Sequence, residues 1–445
     1  MTLVAGVVVL ALLLGLAAFA GGAADEDDAT PSSAQTKKAA PTSQGPATRL
    51  DIPAAYDPKR GWEISGLARE NTLAQGAGRL AYVERVDERR FRLRTVDTRT
   101  GERLWSSAPW KPLGDPSRVF PKLFALTKDR RQYFVTWSYG KSDGGDNDPL
   151  SETSKILSLD MYDAADGSLR RVELPWPSTP SVTGSGPAVL IGQGTTRAAL
   201  VDPRSGDTTP VERSDLKDPK GCENCRELTE IRGLTSKGLL VSGAGEFWVP
   251  GAWHGRKVAP KGTKPGSGTP TSVTADHVLA KWSKKPGSKE KEEKREAAKL
   301  DVWALHDAVN GKALITTECH RPAIRPGRYP ELTLSPTGRY LVAGNLAFDL
   351  WEKSGHCFEE NDGAKPLTLA TVTDEGVAYG ATGARSAADA LTGGGTPVEV
   401  RLATGEPRAL APGLRLPSHD QGGVGVFRWT DSKDVLHLIG YERRG

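Results

Sequence analysis

One recurring pattern constrains this chain more than any other feature. An apolar strand, a four- or five-residue turn bearing Asp and Gly, and a second strand repeat along residues 50–445. The clearest copy is Phe91 to Trp105, FRLRTVDTRTGERLW, in which Asp97 opens the turn and Gly101 closes it. An Asp side chain accepts hydrogen bonds from backbone amides across such a turn, and Gly tolerates a positive φ. Further copies place Asp163 with Gly167, Asp202 with Gly206 and Asp307 with Gly311. Gly405 keeps the glycine without the Asp, and looser copies centre on Gly355 and Gly255. These seven glycines lie 39 to 66 residues apart, with a mean spacing near 51.

Each hairpin follows another apolar strand, such as RLAYVERV, QYFVTWSY or HVLAKWS. Four short strands per ~50 residues is the signature of a β-propeller blade. Near the C-terminus, GVFRW and VLHLIGYERRG read as strands whose outer partner is missing, and GWEISG (Gly61–Gly66) is an orphan strand near the start. Pairing the two ends would close the ring and remove exposed strand edges. The expected fold is therefore all-β: one β-propeller over residues 50–445, with eight blades and seven as the alternative, closed by pairing of N- and C-terminal strands. A pair of β-sandwiches would not explain the repeated Asp–Gly hairpin.

Composition agrees. Gly (50) and Pro (31) together make up about 18% of the 445 residues, against a usual share near 12%. A helical bundle could not carry so many breakers. The 11 Trp and frequent apolar runs argue against a disordered chain. The 59 basic and 55 acidic residues give a net charge of +4 and are mixed along the sequence, so no nucleic-acid partner is assigned.

Residues Thr2 to Ala24 carry no charge and Leu3 to Ala20 is almost wholly apolar. At about 1.5 Å per residue such a segment spans a ~30 Å hydrocarbon core. Residues 1–24 are read as a signal-anchor, an uncleaved N-terminal transmembrane helix that makes the membrane itself a partner through residues 3–24. Residues 25–49, rich in Ala, Thr, Ser, Pro, Gln and Lys, are read as a disordered linker. The expected location is the cell membrane, single-pass, with the propeller outside the cytoplasm. No basic residue precedes the apolar run, which suggests a mis-assigned start or a fragment.

The run Asp97-x-x-Thr-Gly-x-x-x-Trp105 resembles the hairpin motif of quinoprotein-type propellers, the PQQ-like repeats. The stretch from YDPKRGWEISG to ERLW resembles membrane-anchored actinobacterial members of that family. The resemblance implies an eight-bladed ring in which Trp105, and Trp351 elsewhere, dock against a neighbouring blade. The family's dehydrogenases set an adjacent cysteine pair against the quinone and use acidic calcium ligands. This chain has no adjacent Cys pair, so neither PQQ nor calcium is assigned as cofactor. Members without that pair resemble scaffolds, such as the propeller that assists outer-membrane protein assembly.

Four cysteines in an exported chain point to disulfides, here Cys222–Cys225 and Cys319–Cys357. The competing readings are a redox Cys-Glu-Asn-Cys and a zinc site that adds His320 and His356. Asp143, Asp146, Asp148 and Glu152 could offer calcium ligands, but Pro149 breaks their spacing. The charged insert Lys284 to Lys299 reads as a solvated, partly helical loop. No nucleophile-elbow, zincin or phosphate-loop motif occurs, and no catalytic or metal residue is assigned. The expected function is a membrane-tethered binding scaffold for a protein or small-molecule ligand. The alternative is a propeller enzyme, a quinoprotein-like oxidoreductase or a hydrolase, with its site in the central channel. A third reading is the sensor half of a receptor.

Overall fold

The computed structural model describes residues 45–114, 120–141, 155–193, 197–217, 219, 229–287, 290–321, 332–359 and 366–445. The expected anchor, Cys222, Cys225 and the acidic loop at Asp143–Glu152 lie outside the described residues. Among the described residues no helix is long and apolar enough to cross a membrane.

The described strands form six four-stranded antiparallel sheets and one seven-stranded sheet. Each four-stranded sheet is a meander whose strands are neighbours in chain order. The second such unit, for example, runs Lys122–Lys128, Arg131–Lys141, Lys155–Asp163 and Leu169–Pro175. The seven-stranded sheet contains one 19-residue strand, Tyr56–Ala74. Its first part, Tyr56 to Leu67, pairs with Leu436–Arg443 near the C-terminus, and its second part, Leu67 to Ala74, pairs with Arg79–Arg85. The strand thus completes the eighth four-stranded unit and opens the first. The orphan strand at Gly61–Gly66 does meet the C-terminal strands.

Patterning within a strand explains how the units stack. In Tyr133-Phe134-Val135 every residue is buried, so the sequence reads as a continuous apolar run. Successive side chains leave opposite faces of a strand. Tyr133 and Val135 accordingly enter the core shared with the third unit, and Phe134 enters the core shared with the first. Leu240 and Val241 divide in the same way, as do Leu341 and Val342. Eight such clusters join consecutive units, and one of them, with Trp62, Leu73, Leu80, Val426 and Leu438, joins the eighth to the first. The arrangement is propeller-like. Two of the fourth strands, Leu169–Pro175 and Glu406–Ala409, are exposed and charged, which discourages edge-to-edge association.

The first strands of four units share a defect. The register slips between Leu67 and Asn71, Ile231 and Gly233, Pro270 and Ser272, and Leu369 and Thr371. A bulge bends the strand and re-aims a side chain. The charged insert holds a helix over Lys291–Lys299. Residues Gly45 to Arg49 fall in the stretch expected as linker. Here they are fastened to the eighth unit, because Thr48 donates through its amide and its hydroxyl, each at 2.8 Å, to the Glu63 carboxylate.

Candidate ligand groove

The turn residues behave as their chemistry requires. Asp97 Oδ1 accepts from the amides of Arg99 (2.9 Å) and Thr100 (3.0 Å), while Gly101, at φ +69°, donates its amide to the Asp97 carbonyl at 2.9 Å. The same set recurs at Asp202–Gly206 and Asp307–Gly311. Asp163–Gly167 repeats it with the amide of Ala165. Two expected turn centres are corrected. In the fourth unit the turn is Val249–Ala252, with Ala252 N donating to Val249 O at 3.0 Å and Gly251 at φ +73°. Pro250 before Gly251 suits that tight turn. Gly255 instead opens a short helix, packed where a Cβ would meet Phe247 at 2.9 Å. In the sixth unit Asp349 takes the Asp role and Lys353, at φ +53°, takes the glycine position; Gly355 lies within the following strand.

Trp105 docks as the resemblance implied. Its Nε1 donates to Ala164 O of the second unit at 3.2 Å, and its ring lies where a Cβ on Gly167 would sit. Trp62 does the same to Thr98 O and Gly101, and Trp253 to Ala308 O and Gly311, each with a 2.9 Å bond. His356 Nε2 sits 2.9 Å from Leu402 O, its ring against Gly405. The sequence reading missed Trp62, Trp253 and His356. Trp351 does not dock. It is 66% exposed on its own turn, with the Arg339 guanidinium 4.8 Å from its ring centre.

Cys319 and Cys357 form a disulfide that joins the fourth strands of the fifth and sixth units, with Cα atoms 5.9 Å apart. His320 Nδ1 lies 2.6 Å from Glu359 Oε1, while His356 Nε2 faces Leu402 O, and neither ring joins Cys319 and Cys357 in a group of converging ligand atoms. The zinc grouping is therefore not assembled from its described members.

Several buried carboxylates are bound within their own sheets. Arg171 forks onto Asp160 at 2.6 and 2.8 Å, Arg321 donates to Asp301, and Arg408 to Glu399. Burial works to raise the Asp349 carboxyl, but the Arg339 guanidinium and two backbone amides outweigh it and hold it low. On the first strands, Glu70 pairs with Lys122 at 2.9 Å. Desolvation and the Arg428 cation push His419 down to about 4. Gln75 Nε2 donates across the assembly to Leu334 O of the sixth unit at 3.0 Å.

A groove of about 580 Å³ opens beside Gln75, between the turns of the first and second units. Gly76, Ala77, Ala164 and Ala165 supply small surfaces, and Arg130, Arg131, Asp163 and Asp166 supply charge. Gln132 fixes the wall, because its Oε1 accepts from Ala77 N at 2.6 Å and its Nε2 donates to Thr127 Oγ1 at 3.3 Å. Arg79 Nη1 donates to Ala164 O and Ala165 O from the opposite unit. The hairpin between Lys128 and Arg131 has only two turn residues, Asp129 at φ +49° and Arg130 at φ +64°. Such turns favour this backbone. Asp tolerates it, whereas Arg carries a cost of about 1 kcal/mol. Nothing in the sequence reading singled out Arg130 and Arg131. The available signal is a consecutive Arg pair at a tight turn between two apolar strands.

No family model and no curated protein matches this chain. Among solved structures it is similar to the Pyrococcus horikoshii acylaminoacyl peptidase (orthorhombic crystal form), at 10% identity and a TM-score of 0.37. The match covers 85% of this chain and 50% of the peptidase, so the chain spans about half the length of that protein.

Proposed function

We propose that this protein is a closed eight-bladed β-propeller of the PQQ-like kind that is held outside the cytoplasm by residues 3–24 and acts as a binding module. The eight shared cores and the strand common to the first and eighth units support the ring. The single observation that supports binding is the groove beside Gln75. It is open, its walls are fixed by Gln132 and Arg79, and its charged side chains include Arg130 with no described partner. Its volume lies within the range of small-ligand clefts, and its polar lining suits a polar or charged ligand. Several buried ionised groups away from it are already committed to bonds within the sheets.

The test is a ligand-observed NMR screen of small molecules on the full chain and on Ala165→Trp, which fills the groove from an exposed position. Binders to the wild type that vanish with Ala165→Trp are the expected result. Identical binders in both proteins would overturn the reading. Conversion of a bound compound on standing would replace it with the propeller-enzyme alternative.

A further inference from the structure

We infer that the groove takes a small ligand bearing a carboxylate or phosphate group, clamped by the guanidiniums of Arg130 and Arg131. The inference rests on the groove being the binding site. Both arginines line it, and they project from adjacent positions of one tight hairpin. The Arg130 guanidinium has no partner among the described residues. Arg131 has a loose one, with Nη1 3.7 Å from Asp163 Oδ2 and its side chain 61% exposed.

The opposing carboxylates are already engaged. Asp163 Oδ1 accepts the Ala165 amide at 2.7 Å, and Asp166 Oδ1 accepts the Ser168 amide at 2.8 Å. Both stay ionised, so an incoming anion competes with them for the guanidiniums: Asp163 holds Arg131 only loosely, and Arg130 is the cation of the lining with no partner among the described residues. Planar guanidinium forks match carboxylate and phosphate oxygens. The floor of Gly76, Ala77, Ala164 and Ala165 projects no large side chain, so the body of a ligand can lie flat against it.

Benzoate and phenyl phosphate serve as probes, with benzamide as the neutral match, each titrated by ligand-observed NMR against the full chain. The anions should bind at least tenfold more tightly than benzamide, and less tightly as salt is raised. Arg130→Gln and Arg131→Gln should each weaken the anions about tenfold, with the unfolding midpoint unchanged. Asp166→Asn keeps the acceptor for Ser168 and removes a charge, so it should tighten anion binding. Equal affinity for benzoate and benzamide, or anion affinity untouched by both arginine variants, would overturn the anion clamp. If Ala165→Trp still abolishes binding in that case, the groove reading survives. Anion binding that persists in Ala165→Trp overturns both.

Discussion

His306 shows how burial converts an ordinary side chain into a pH-dependent support. Trp282 Nε1 donates to its Nε2 at 3.2 Å, and its Nδ1 faces Gly311 O at 2.8 Å, which fixes the tautomer protonated on Nδ1. A second proton would face the indole N–H. Burial pushes the imidazole from an ordinary 6.5 down to about 4, although the Gly311 carbonyl works in the other direction. The unfolded chain takes up that proton below about pH 6.5 and the native protein does not, so stability falls as pH drops from about 6.5 towards 4. The full effect is about 3 kcal/mol. Chemical denaturation at a series of pH values should show His306→Gln losing less stability than the wild type as pH falls, while the contribution of His419 remains in both. Equal slopes in the two proteins between about pH 4.5 and 6.5 would refute the assignment.

At the scale of elements, the hairpins test themselves, because one copy breaks the rule. Lys353 stands at φ +53° where the other Asp-led turns have glycine, so Lys353→Gly should raise stability by about 0.5–1 kcal/mol. Gly311→Ala should do the reverse and cost about 2–4 kcal/mol, since its Cβ would meet the Trp253 ring at 2.5 Å as well as strain the backbone. Urea midpoints of the two variants measure both effects. Turns of this kind were legible because Asp and Gly at a separation of four residues carry their mechanism locally. Pro250-Gly251 and Asp349–Lys353 were misplaced by following the nearest glycine. The docking of Trp62, Trp253 and His356 was not legible, because each ring finds its carbonyl tens of residues away, on the turn of another unit. The groove was hidden for the same reason. Its wall combines turns from two units; one is the Asp163–Gly167 motif turn, but the motif gives no sign that the Arg130–Arg131 hairpin lies beside it.

The whole molecule depends on the meeting of its two ends. Tyr56 Oη donates to Asp420 Oδ2 at 2.7 Å, and Arg443 Nη2 donates to the same oxygen at 2.8 Å, with Glu375 also bound to Arg443. The first strand, the last strand and a first strand of the eighth unit are thereby locked at one buried point. Burial first, and the Asp374 charge after it, drive the Asp420 carboxyl up to about 7 against the Tyr56 hydrogen bond, which lowers it. Arg443→Met leaves that carboxyl without its cation and should cost about 3–5 kcal/mol. The deficit should be larger at pH 8 than at pH 5, because a raised carboxyl pKa takes stability away as pH rises through that window. Unfolding at the two pH values decides it; an equal deficit at both would place the strain elsewhere. The shared strand Tyr56–Ala74 also has a consequence in time. During synthesis its leading half emerges well before its partner, Leu436–Arg443. The leading half therefore keeps an unpaired edge until that partner has been made. A chaperone that shields the growing chain would have that strand to guard first.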